Sequence, residues 1–307
     1  MKKRFLLILS FIFFFLVTPA GVQAQTSRFG EMLGKQPVSK FGLLLAEELI
    51  PTPTPDLKAL VQERVLGVKA KLDSQPKKLT VAVLGDSMVD VLQPDLPQLR
   101  AALRRDFPDT DLRLYNFGVG ASNLEYASYR LANDYDYLGK SYPSVLSIKA
   151  DILVLESFAY NNFGDSQRGL DKQWLLLGEI ITKTEKLSPN TKIILAAAIA
   201  PNSTVYGDGI DGVDWPLDQK AARTTTVKKY LENLTNFANS QGYPLADAYH
   251  SSLPAIRLEP SGDWQAGMDA GGEGKLIYIN AGDHLHPSGP GGELFCQEVA
   301  EEINKMY

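Results

Sequence analysis

The chain has 307 residues, a formal charge of −5, one cysteine and 44% hydrophobic residues. This is enough for one α/β domain with a substantial core, and a single cysteine excludes an intramolecular disulfide. The acidic balance, with no basic stripe interleaved with aromatics, argues against nucleic acid and anionic lipid surfaces as partners.

The chain opens on Lys2-Lys3-Arg4, an apolar stretch from Phe5 to Val17, and Val22-Gln23-Ala24. A basic start, an apolar stretch short for a bilayer and small residues at the −3 and −1 positions predict a secretory signal peptide, residues 1–24, cleaved after Ala24. An uncleaved anchor is the alternative, and no cysteine follows to carry a lipid. Cleavage would leave 283 residues and remove three cations and no anion, taking the charge from −5 to −8. The expected location is secreted or in the cell envelope, without stable membrane insertion after cleavage.

Residues 25–75 read as an extension. Phe41–Ile50 has the spacing of a short amphipathic helix, Pro51-Thr-Pro-Thr-Pro55 is a stiff linker, and Asp56–Leu72 is helical in period. The extension either packs on the domain or spaces it from the cell surface.

From residue 76 to 307, strand and helix signals alternate, which predicts one domain with a parallel sheet of about five strands and helices on both faces. Strands are expected at Thr80–Leu84, Leu112–Phe117, Asp151–Leu155, Lys192–Ile199 and Leu245–Ala248. Helices are expected at Pro97–Phe107, Leu124–Asp134, Lys172–Leu187, Ala221–Gln241 and Gly289–Lys305. Val205–Asp218 and Ser261–Gly274 read as loops, and Leu276–Asn280 as extended. Cys296, between Leu294-Phe295 and Val299, reads as a small buried hydrophobe.

The chemistry concentrates at two places. Gly85-Asp86-Ser87 follows the first strand at once, so Ser87 sits at a carboxyl strand end, the edge where open α/β sheets bind ligands. A plain Asp/Ser helix cap accounts equally well for that stretch alone. Asp283 and His286 stand in Asn280-Ala-Gly-Asp-His-Leu-His-Pro287, just before the last helix. A carboxylate three residues ahead of an imidazole, in a turn bounded by glycine and proline, can reach its Nδ1–H, fix the tautomer and stabilise the imidazolium. A serine nucleophile needs such a base.

With both motifs in hand, residues 80–307 resemble the GDSL/SGNH hydrolases. Gly85-Asp86-Ser87 matches the family's nucleophile block, with Met88 where leucine is usual. Asn116-Phe-Gly-Val-Gly-Ala121 resembles its second block, and Phe158-Ala-Tyr-Asn161-Asn162 stands where the third reads Gly-x-Asn-Asp. Asp283 and His286 match the last. The resemblance implies a flavodoxin-like three-layer α/β/α fold, a Ser87–His286–Asp283 triad, and acyl-ester hydrolysis or transfer without metal or organic cofactor. It further implies an oxyanion hole from the N–H groups of Ser87 and Gly120 and the Asn161 amide. The register leaves Ala121 open beside Gly120, and Asn162 beside Asn161.

Export and this resemblance together point to a short-chain, acetyl-type ester of carbohydrate or envelope material. An envelope O-acyltransferase and a non-catalytic carbohydrate-binding protein on the same fold are the alternatives. Tyr206, Trp215 and Trp264 lie in the two long loops, available either for stacking on sugar rings or as lid or core residues. A metal site from Asp283, His284 and His286, or from Asp208, Asp211 and Asp214, lacks the His-Glu-x-x-His or EF-hand spacing. Ser74-Gln-Pro-Lys77 matches the Ser-x-x-Lys string, but Pro76 disfavours the helical turn that would pair them. His250 reads as an ordinary residue at a strand end.

Overall fold

The computed structural model describes residues 76–256 and 279–307. The expected leader, the two helices expected in residues 25–75, Ser74, the expected 261–274 loop with Trp264, and residues 276–278 of the expected extended stretch lie outside the described residues.

The first strand, β1 (Lys78–Gly85), is buried along nearly its whole length, as its apolar, β-branched run requires. It is followed by the four-residue helix α1 (Ser87–Asp90), then α2 (Pro97–Asp106) and β2 (Asp111–Gly118). Next come α3 (Leu124–Ala132), a hairpin of β3 (Tyr135–Tyr137) and β4 (Lys140–Tyr142), and β5 (Ile152–Glu156). The chain continues through α4 (Gln167–Leu187), β6 (Lys192–Ala197), α5 (Leu217–Gln241), β7 (Leu245–Asp247) and α6 (Ala248–Ile256), and ends in α7 (Gly289–Lys305).

Five strands pair in parallel in the order β2-β1-β5-β6-β7. In sheet-strand sequence this is 2-1-3-4-5, the flavodoxin-like order. Helices α2, α6 and α7 pack together, and α3, α4 and α5 form a second group, giving the expected three layers. Register aligns the functional strand ends. Gly85 is level with Gly118, and Leu84 pairs with Leu155, so the loops after β1, β2 and β5 leave the sheet at one edge. The strand order reverses between β1 and β5, and the crevice at that switch point is the expected ligand site of such a sheet.

The structure departs from the expected elements where local signals were masked. Helix α4 begins five residues before Lys172, because Ser166 caps it by accepting from Gly169 N. Helix α5 begins directly after Pro216, four residues early. Strand β6 stops at Ala197 rather than Ile199, and β7 at Asp247, where the chain turns at once into α6. That helix contains Pro254, which hid it in the sequence. The β3–β4 hairpin carries no Asn-Gly signal; its turn is Leu138-Gly139, both at positive φ, and Tyr135 stacks on Tyr142 at 5.3 Å.

Candidate active site

Asp86 is the N-cap of α1 and accepts from Met88 N at 2.8 Å, so Ser87 is the first helical residue. At that position its N–H has no partner within the helix. Among the described residues nothing hydrogen-bonds the Ser87 N–H or hydroxyl. Asp86 is fully buried, and its second carboxylate oxygen accepts from Asn161 Nδ2 at 2.9 Å. Asn161 ends a single 3₁₀ turn, Ala159–Asn161, beyond β5. An amide nitrogen carries two hydrogens, so one N–H of Asn161 is left over on the side chain that reaches Asp86. Asn162 behaves differently. Its amide donates to Ala159 O and its carbonyl accepts from Gly164 N, both local turn bonds. Asn161 is therefore the asparagine that reaches the serine turn.

Beneath this turn lies a buried charge cluster. Glu156, the last residue of β5, accepts from Phe158 N at 2.9 Å and bonds the Ser157 hydroxyl and the Asp86 backbone N–H. Burial, then the neighbouring Asp86 charge, pushes the Glu156 carboxyl well above its ordinary value. Asp86 is also raised by burial, but Met88 N, Asn161, His286 and Arg130 all act to keep it charged. Arg130, on α3, is fully buried; it donates to Phe117 O at 2.7 Å, Gly85 O at 3.1 Å and Ser122 Oγ at 3.2 Å. The rings of Tyr126 and Tyr135 lie about it at 5.2 and 5.3 Å.

Asp283 and His286 form one closed turn. Asp283 Oδ2 lies 2.5 Å from His286 Nδ1, while Oδ1 accepts from Leu285 N and His286 N, both at 3.0 Å. Burial opposes ionisation of Asp283, but these three hydrogen bonds outweigh it and hold the carboxyl at about 2. A bridge between Asn280 and Pro287 and the bond from Ala281 N to His286 O at 2.7 Å fasten the two ends of the loop. His286 acts electrostatically on Asp86, helping to keep it charged. Nothing else among the described residues bonds His286 Nε2.

A second Asp-x-x-His has the same local geometry. His250 Nδ1 lies 2.8 Å from Asp247 Oδ2, and His250 N donates to Asp247 Oδ1 at 3.1 Å. What separates the two is the far nitrogen. His250 Nε2 faces Glu232 at 3.4 Å, and its side chain is 45% exposed against 25% for His286.

The second block holds a surprise. Gly120 N–H donates to Tyr137 Oη at 3.0 Å. Ala121 is at φ +55 in a turn closed by Ser122 N on Val119 O, and its N–H is bonded to nothing among the described residues. Asn116 ties this strand end to the serine turn, donating to Val89 O and Gln93 O and accepting from Gly118 N.

Tyr206 and Trp215 are occupied internally. Tyr206 is 4% exposed and stacks on both Tyr160 and Trp215, and the Arg223 guanidinium lies 4.0 Å over the Trp215 ring. Of the two roles open to them, this is the lid or core role. Asp208 pairs with Lys220. Among the described residues, no three His, Cys, Asp or Glu side chains converge as a metal site would need, and no helix is long and apolar enough to cross a membrane. Cys296 is buried on α7, and burial pushes its thiol up to about 12, which leaves it unreactive.

Comparison with known proteins supplies the fold's relatives. A protein described as a GDSL-like lipase from Parabacteroides merdae superposes with a TM-score of 0.52 at 15% identity, over 74% of this chain and 97% of that one. The chain has the fold of the GDSL-like lipases. A lipase/acylhydrolase from Enterococcus faecalis matches with a TM-score of 0.48 at 16% identity, over 74% and 96% of the two chains. An acetylxylan esterase from Geobacillus stearothermophilus matches with a TM-score of 0.48 at 14% identity, over 73% and 94%. No protein-family model matches the sequence, and no curated protein does. Arg130, Glu156 and Tyr137 are particular features of this chain's GDSL-like fold that sequence reasoning missed. Only Glu156 left a signal, a carboxylate closing an otherwise apolar strand.

Proposed function

We propose that the chain is an exported serine esterase that hydrolyses short acyl esters of carbohydrate or cell-envelope material. The observation that carries this reading is the hydrogen bond from Asn161 to Asp86, which joins the turn after β5 to the serine turn at the switch point of the sheet. In this reading Ser87 Oγ attacks the ester carbonyl and His286 Nε2 takes its proton, with Asp283 holding the ring. The oxyanion is met by the Ser87 N–H, the Ala121 N–H and the free N–H of Asn161. Gly120, the expected second donor, is replaced by Ala121 because its own N–H is engaged by Tyr137. Each such donor contributes about 3 kcal/mol in the transition state. His286 then protonates the leaving alcohol, and water releases the acyl group from Ser87.

The test is hydrolysis of p-nitrophenyl esters from acetate to decanoate, with Ser87→Ala in parallel and a fluorophosphonate label on the wild type. Turnover confined to short chains, absent from Ser87→Ala and matched by labelling of Ser87, is the expected result. Turnover that survives Ser87→Ala removes the nucleophile assignment. Labelling without ester hydrolysis redirects the reading to acyl transfer, and neither activity nor labelling leaves a binding protein.

A further inference from the structure

The end of β2 and helix α1 meet at backbone contact: a Cβ on Gly118 would lie 2.2 Å from Asp90 N. One polar thread ties the two segments beside that contact. Gly120 N–H donates to Tyr137 Oη at 3.0 Å, and Tyr137 Oη donates to Asp90 Oδ2 at 2.7 Å. A phenol has one proton to give, and here it goes to Asp90 while the oxygen accepts from Gly120. Burial, reinforced by the bond to Asp90, raises the Tyr137 pKa and keeps it a donor. Tyr137 belongs to neither segment. It arrives on the β3–β4 hairpin, with its ring packed against the core.

The turn it grips has an alternative. Residues 119–122 form a turn in which only Ala121 has a positive φ, as in a type II turn, a conformation disfavoured for a residue with a Cβ. Rotating the Gly120–Ala121 peptide would relax Ala121 and re-aim its N–H. We propose that Tyr137 and Asp90 are a positioning pair that clamps this turn to the serine helix, so that Ala121 N–H is presented to the reacting carbonyl. The proposal rests on the serine-esterase reading. In this proposal both side chains act through the turn; Asp90 is one turn beyond Ser87 on the same short helix, so the clamp sets the oxyanion donor by reference to the nucleophile.

The experiment compares Tyr137→Phe, Asp90→Ala, Asp90→Asn and the Tyr137→Phe/Asp90→Ala double variant. The readouts are kcat per fluorophosphonate-titrated site, KM and the melting midpoint. Tyr137→Phe keeps the ring and is expected to lose about 10- to 100-fold in kcat, the cost of a misplaced donor, with KM within about threefold. Asp90→Ala should match it and the double variant should be no worse, since both break one thread. Asp90→Asn retains an oxygen acceptor and should recover most of the rate. Wild-type kcat in Tyr137→Phe, or a loss explained entirely by fewer titratable sites or a lower melting point, overturns the clamp while leaving the esterase reading intact. A wild type that neither hydrolyses esters nor labels at Ser87 overturns that reading, and the clamp with it.

Discussion

Asn161 donates its side-chain amide to the carboxylate of Asp86 across 75 positions of sequence, and this bond fixes the amide beside Ser87. Replacing Asn161 with alanine removes the proposed oxyanion donor and one of the groups that keep buried Asp86 charged. The expected result is a kcat lower by about 10²- to 10³-fold. Asn162→Ala loses two local turn bonds instead. It should lower stability by about 1 kcal/mol and leave kcat within about threefold. Steady-state kinetics with thermal melts of both variants separate the two asparagines; equal kinetic losses would return Asn162 to the site.

The sheet was readable because β1, β5 and β6 are buried on both faces and appear as near-continuous apolar runs, while β2 alternates buried apolar with exposed residues. The turns that carry Ser87, Asp283 and His286 were readable because each motif is local: Asp86 caps its own helix, and Asp283 reaches only three residues ahead. The same Asp-x-x-His hydrogen-bond pattern recurs at Asp247 and His250, where β7 passes into α6. What distinguishes them is Glu232 on another helix, a tertiary fact no spacing encodes. Tyr137 was invisible for that reason too. Its partners, Asp90 and Gly120, lie 47 and 17 residues away, and the hairpin that delivers it turns on Leu-Gly without the usual signal.

Glu156 sets a stability trend with an unusual sign. Its folded carboxyl is raised well above the ordinary 4.5, so above that pH the folded state holds a proton the unfolded chain has released. The contribution is full below the unfolded value and is lost as pH rises through the folded one. Glu156→Gln keeps a carbonyl for the two backbone N–H groups and supplies a permanent donor toward Ser157. Melting midpoints from pH 5 to 9 should therefore fall more steeply for wild type than for Glu156→Gln. Parallel curves would mean Glu156 is ionised throughout.

Gly209 lies so close to the Asp283 turn that a Cβ there would stand 1.8 Å from Gly282 O and 2.7 Å from Asp283 Cα. The loop after β6 thus braces the carboxylate by backbone packing alone. Gly209→Ala is expected to cost about 1–3 kcal/mol in stability, as overpacking does, and to reduce kcat by displacing Asp283. Gly212→Ala, in the same loop but with open space around it, carries only the penalty of its positive φ. A lower melting point for both variants, with loss of kcat only in Gly209→Ala, is the pattern that identifies the brace.

Asp283 contributes in the opposite pH range. Its folded carboxyl is held at about 2 against an ordinary 3.8, so its stabilisation is present above the ordinary value and disappears as pH falls from about 4 toward 2. Partial exposure reduces the effect to on the order of 1 kcal/mol. Asp283→Asn removes that charge but keeps an oxygen for the Leu285 and His286 N–H groups. Its acid unfolding should be shallower than that of wild type between pH 4 and 2. Its kcat near neutrality should fall about 10⁴-fold, because an amide beside Nδ1 no longer holds the imidazole in the tautomer a base requires. A variant with unchanged acid unfolding but the same kinetic loss would confine Asp283 to the chemistry and leave the loop's stability to its backbone bonds.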